Sequence, residues 1–123
     1  MSSERLVALR GATTVQADVR EAVIERTSEL LVQLLDRNGV GHDDLVSIIF
    51  TATDDLVSEF PAAAARALGM GDVPLLCARE LGIEHGNPST IRVMVYCYST
   101  RPRATLRHVY LHQASHIRDD LPG

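Results

Sequence analysis

The chain has 123 residues, 46% hydrophobic and 23% charged, with a formal net charge of −4, which leaves room for one domain (1–123) with one sizeable core and no disordered tract. All twelve basic residues are arginine; Schiff-base chemistry and a P-loop lysine are excluded, and a mildly acidic chain with scattered arginines lacks the basic stripe of a nucleic-acid binder. The apolar stretches fall short of the ~20 residues of a membrane span, the start Met1-Ser2-Ser3-Glu4-Arg5 does not read as a signal peptide, and Cys77 and Cys97 make no disulfide framework, so the expected setting is the cytoplasm, away from membranes.

Leu6 to Leu9 reads as a short strand ending at Arg10, with Gly11 as the turn out of it. Asp18 and Glu21 have capping-box spacing, and behind them Val23, Thr27, Leu30, Leu31, Leu34 and Leu35 recur at helical spacing. Asn38-Gly39 stops that helix. Leu45 to Phe50 is rich in strand formers. Pro61 suits a first helical position and opens an alanine-rich helix that ends at Gly69. Val73 to Ala78 predicts a third strand, and Gly82, Gly86, Asn87 and Pro88 a loop. Ile91 to Tyr98 predicts a long fourth strand and Leu106 to Leu111 a fifth. The order of elements gives an α/β (α+β) fold, a mixed sheet with helices on one face. A sheet covered on one side invites oligomerisation through the other.

Arginines in strands are the first candidates for chemistry. Alternation puts Arg92 on one face with Met94, Tyr96 and Tyr98, and Arg10 on the side of Leu6 and Ala8. Such residues either decorate a solvated face or converge on a cleft, where planar guanidinium forks suit a substrate with more than one carboxylate. Cys77 and Glu80 lie three apart; they read either as a buried cysteine beside a surface glutamate or as part of a site, although no histidine lies nearby to activate the thiol. His108, His112 and His116 would stack on a helix, but in a strand a four-residue step separates side chains by ~13 Å, and the pattern lacks a catalytic glutamate, so no metal site is expected.

Further blocks carry a family resemblance. Arg10-Gly11-Ala12-Thr13-Thr14-Val15, Ala52-Thr53-x-Asp55-Leu56, Phe60-Pro61-Ala62 with Arg66, Val73-Pro74-x-x-Cys77-x-x-Glu80, Ile91-Arg92-Val93-Met94 and Arg107-His108-Val109-Tyr110-Leu111, then Arg118 and Leu121, are collinear over nearly the whole chain. Together they resemble the AroH class of chorismate mutases. The resemblance implies a pseudo-α/β barrel homotrimer with active sites between subunits. It also implies a pericyclic Claisen rearrangement of chorismate to prephenate in phenylalanine and tyrosine biosynthesis, with no cofactor, no metal and no covalent intermediate. Residue by residue, Arg92 matches the arginine that donates to the ether oxygen, Glu80 the carboxylate that faces the ring and binds its hydroxyl, and Cys77 a thiol near that hydroxyl. Arg10 and Tyr110 match groups that hold a substrate carboxylate. Phe60 and Arg66 match residues lent by the neighbouring subunit, and Leu76 belongs to the segment lining the pocket.

Two departures from the resemblance concern substrate capture: Ala63 stands where relatives commonly carry a lysine, and the sequence stops at Gly123, before the point reached by relatives whose tail covers the site. The same architecture also occurs in trimeric imine deaminases of the Rid type, which set an arginine against a carboxylate, and a non-catalytic binder of aromatic-pathway anions would look similar. The Cys77, Glu80, Arg92, Tyr110 set favours the mutase over the deaminase, and the silent binder would differ by binding chorismate without turning it over.

Overall fold

The computed structural model describes residues 3–116. Arg118, Leu121 and the end at Gly123 lie outside the described residues.

Five strands form one mixed sheet in the order β3-β2-β4-β1-β5: β1 (Arg5–Thr14), β2 (Leu45–Ala52), β3 (Leu75–Arg79), β4 (Thr90–Ser99) and β5 (Val109–Tyr110). The central strand β4 runs antiparallel to both β1 and β2, whereas β2–β3 and β1–β5 are parallel. The helices are α1 (Arg20–Asn38) and α2 (Ala62–Ala67). Leu30, Leu31 and Leu34 of α1 and Ala62 and Ala65 of α2 share one core with Leu9, Phe50, Val93 and Val95. Both helices therefore cover the same face of the sheet, as the alternation in β4 requires: Ile91, Val93, Val95 and Cys97 are buried, while Arg92, Met94, Tyr96 and Tyr98 face the open side. No helix among the described residues is long and apolar enough to cross a membrane.

Three local expectations change. Gly11 is no turn: β1 runs straight through it to Thr14, in register with β4 down to Thr90. Glycine is needed there because a Cβ would come within 2.9 Å of both the Val109 carbonyl and Leu30 Cδ1, so its absence lets β5 and α1 close on β1. Asp18 does not cap α1, whose N-cap is Val19 without a side-chain bond. Its carboxylate instead accepts the backbone N–H groups of Val57 (3.1 Å) and Ser58 (3.0 Å), tying down the loop that carries Phe60.

The fifth strand is also shorter than its sequence pattern. A buried asparagine takes the place of a pairing strand at Arg107: Asn38 Nδ2 donates to Leu34 O and Arg107 O, and Asn38 Oδ1 accepts from Arg107 N. The predicted stop of α1 holds, with Gly39 at φ +63°, a conformation glycine adopts without steric cost.

Candidate active site

The open face of the sheet carries a cleft of about 260 Å³ lined by Arg10, Ile49, Thr51, Glu80, Arg92, Met94 and Tyr110, among others. Register explains the grouping. Arg92 pairs directly with Thr51 of β2 and Ala12 of β1, and Ala12 in turn with Tyr110 of β5. Cross-strand partners point to the same side, so residues distant in sequence form one row. Arg10 sits one row along, opposite Met94.

Glu80 follows the end of β3, where its N–H donates to Ala52 O at 2.9 Å. Its carboxylate accepts from Thr51 Oγ1 at 2.6 Å and lies 3.2 Å from Arg92 Nε, with side-chain exposures of 25% for Glu80 and 42% for Arg92. That contact is ionic without being a hydrogen bond, since the buried Nε–H has no hydrogen-bond partner among the described residues. Arg92's terminal nitrogens, the Arg10 guanidinium and the Tyr110 hydroxyl also make no hydrogen bond among the described residues. Two cations and a hydroxyl therefore stand ready around one carboxylate that is already fixed, which suits a ligand with carboxylates at one end and a neutral hydroxyl near Glu80.

The other expected residues lie elsewhere. Cys77 pairs with Phe50 and projects to the core side of the sheet. It lines a second groove, of about 400 Å³, with Phe60, Val57, Ser58 and Arg79. Leu76 is exposed on the open face beside Ile49. Arg66 is exposed on α2, on the helix side. Phe60 is held from two directions. Asp18 fixes the preceding loop, while Glu59 accepts the Phe60 N–H at 2.9 Å and pairs with Arg20 at 2.9 Å. Both carboxyls are held below their ordinary range, Asp18 by the Ser58 hydroxyl and the Val57 amide, Glu59 by the Phe60 amide.

Asp55 closes the far side of the cleft's neighbourhood. It accepts from Thr53 Oγ1 and from the N–H of Ser89, a residue at φ +49°, and these bonds, the threonine's foremost, lower its pKa against a smaller opposing effect of burial. The loop from Leu81 to Pro88 is thereby anchored next to Glu80. Sequence reasoning missed Thr51 because the strand was expected to stop at Phe50; one more step of alternation would have put it on the open face, though alternation alone does not give its register with Arg92. It also gave His108 no role, rejecting it as a metal ligand and placing it in a matched block, whereas its Nδ1 accepts the Arg10 backbone N–H at 3.0 Å. Among the described residues no cluster of histidine, cysteine and acidic side chains could hold a metal ion.

The family model described as "Chorismate mutase type I" matches residues 6–121. The chain belongs to the type I chorismate mutases. It is 46% identical over 114 residues to the chorismate mutase AroH of Thermus thermophilus, covering 92% of this chain and 93% of that protein. It is 38% identical to the chorismate mutase AroH of Bacillus subtilis (strain 168), covering 92% and 90% of the two chains. A solved chorismate mutase from Clostridium thermocellum superposes with a TM-score of 0.87 at 38% identity, over 89% of this chain and 97% of that one. Within a chorismate mutase, the Cys77 thiol has no covalent step to perform, and it lies on the far side of the sheet from Arg92. Cys77→Ala should therefore keep kcat within about tenfold of the native enzyme, the scale of one lost hydrogen bond. Complete inactivation of a well-folded Cys77→Ala protein would restore the thiol as a nucleophile. Cys97 is a poor target for thiol reagents: it is fully buried, and burial pushes its thiol up to about 11.

Proposed function

We propose that this mutase rearranges chorismate to prephenate by holding the substrate folded against fixed charge, with Arg92 as the main electrostatic catalyst. The observation that carries the reading is the half-buried cluster of Arg92, Glu80 and Thr51 on the open sheet face, with Arg10 and Tyr110 alongside. In the rearrangement the carbon–oxygen bond of the ether breaks as a carbon–carbon bond forms. No proton or electron leaves the substrate, so the balance closes without a cofactor. Negative charge grows on the ether oxygen while the ring becomes electron-poor. An Arg92 terminal nitrogen donates to that oxygen, and the Glu80 carboxylate faces the ring and accepts from its hydroxyl. Thr51 and Arg92 hold the Glu80 carboxylate in place, and Arg10 and Tyr110 bind a carboxylate. Such a site works by positioning and preorganised charge, with no nucleophile.

One chain does not complete this site. Arg66 belongs to the helix layer and Phe60 and Cys77 to the second groove, whereas Arg92 faces the uncovered side. That side also exposes Leu6 and Tyr98, at 53% and 44%, an apolar face of the kind that second copies cover. A homotrimer in which one subunit presents Arg10, Glu80, Arg92 and Tyr110, with Leu76 on the same open face, and its neighbour Phe60, Arg66 and Cys77, accounts for both facts. Two free cysteines fit a reducing, cytoplasmic setting. Loss of chorismate absorbance on adding purified protein, with prephenate identified as the product, tests the activity. Binding of chorismate without turnover would defeat it.

A further inference from the structure

The short ladder between β1 and β5 has two residue pairs, Gly11–Val109 and Ala12–Tyr110. One residue earlier a side chain takes over the ladder's role. The Arg10 N–H donates to His108 Nδ1 at 3.0 Å, so the imidazole extends the pairing to the residue whose guanidinium lines the cleft. A ring nitrogen accepts only when it carries no proton, which assigns the hydrogen of the neutral ring to Nε2. His108 is itself placed from behind, because the preceding residue, Arg107, has both backbone groups bonded to the buried Asn38 side chain.

We propose that His108 is a positioning residue for substrate binding: its imidazole, accepting at Nδ1, fixes the backbone of Arg10. The inference rests on Arg10 as a carboxylate ligand. The imidazole lines one groove with Arg5 and Arg10 from β1, Tyr96 from β4 and Arg103 from the turn before β5. Without an acceptor at Nδ1 the Arg10 N–H is left unpaired, and the residue whose guanidinium lines the cleft is held less firmly.

Three variants in the full-length assembly and one spectrum test this. His108→Leu removes the acceptor and should raise KM for chorismate about tenfold, the scale of a lost hydrogen bond that strands its donor, with kcat little changed. His108→Asn places an amide oxygen near the position of Nδ1. It should recover most of the lost affinity. Nitrogen-15 spectra at neutral pH should show the His108 proton on Nε2. A general loss of packing would lower kcat and melting temperature in both His108 variants alike, without rescue by asparagine. The inference is overturned by a His108→Asn enzyme as impaired as His108→Leu, or by an Nδ1–H tautomer. A native-like KM in His108→Leu alongside a raised KM in Arg10→Ala overturns it alone. A native KM in Arg10→Ala overturns the carboxylate role of Arg10 and this inference with it.

Discussion

Arg92→Ala is expected to lower kcat by at least about a thousandfold while the protein remains folded and assembled. One donor aimed at developing negative charge is commonly worth 10²- to 10³-fold in kcat, about 3–4 kcal/mol, and a cation in a half-buried cleft exceeds a neutral donor. The fold should survive, because the Arg92 side chain is 42% exposed and the residues beneath it, Ile91 and Val93, keep their places in the core. Glu80 would keep its Thr51 hydrogen bond. Lysine at this position keeps the charge but not the fork, so Arg92→Lys should recover only part of the loss. The measurement is steady-state kinetics beside circular dichroism and native mass. A raised KM with untouched kcat would mean that Arg92 binds substrate and transition state equally, and its catalytic role would be gone.

Arg92 is legible in the amino-acid sequence because a long strand with strict alternation displays its own faces. Ile91, Val93, Val95 and Cys97 declare the core, and everything between them must look outward. Glycine is less transparent. At Gly11 the same residue that marks a turn elsewhere permits a carbonyl to approach at van der Waals range, and nothing local separates these two uses. Asp18 failed as a cap for a related reason: a carboxylate that can cap its own helix can equally serve a loop 39 residues away. The row joining Thr51, Arg92, Ala12 and Tyr110 depends on register between four strands, which is decided by packing that no single segment encodes. Cys77, Phe60 and Arg66 could be matched to roles by resemblance. Their separation from Arg92 within one chain is a matter of which side of the folded sheet each occupies, and a linear motif carries no such information.

That separation gives the second large effect. Arg92→Ala and Arg66→Ala chains are each expected to assemble into impaired trimers, and mixing them after dissociation should restore activity. In a cyclic ring each contact joins unlike patches, so random assortment makes roughly one quarter of the sites native and another quarter doubly defective. Because Arg92→Ala sites contribute almost nothing, activity in the mixture should exceed the mean of the two parents by about one quarter of the activity that Arg66→Ala loses. Arg66 is exposed on α2, and a mild parental defect would shrink the contrast, so Phe60→Ala, in the second groove, supplies an independent partner for the same experiment. Subunit exchange is followed by mass. If exchange is complete and neither mixture gains activity, both halves of the site belong to one chain and the shared-site arrangement is wrong.

The Asn38 side chain that ties α1 to Arg107 also sets how the protein ages. Asparagine followed by glycine is the sequence most prone to deamidation, because the glycine amide nitrogen can attack the side-chain carbonyl. In the folded state that nitrogen sits in the helix cap, donating to Asp36 O at 3.3 Å, and the side chain is held by three hydrogen bonds at 2% residue exposure. The reaction must therefore wait for the helix end to open, and its rate becomes a slow clock of local unfolding. Once it happens, a carboxylate replaces the amide donor and faces the carbonyls of Leu34 and Arg107, so the damage cannot reseal and the wall behind His108 and Tyr110 stays loose. Peptide mapping of stored protein should find the new acid at Asn38 rising in step with amide exchange at the end of α1, and deamidation that outpaces this exchange would show that the fold gives no protection.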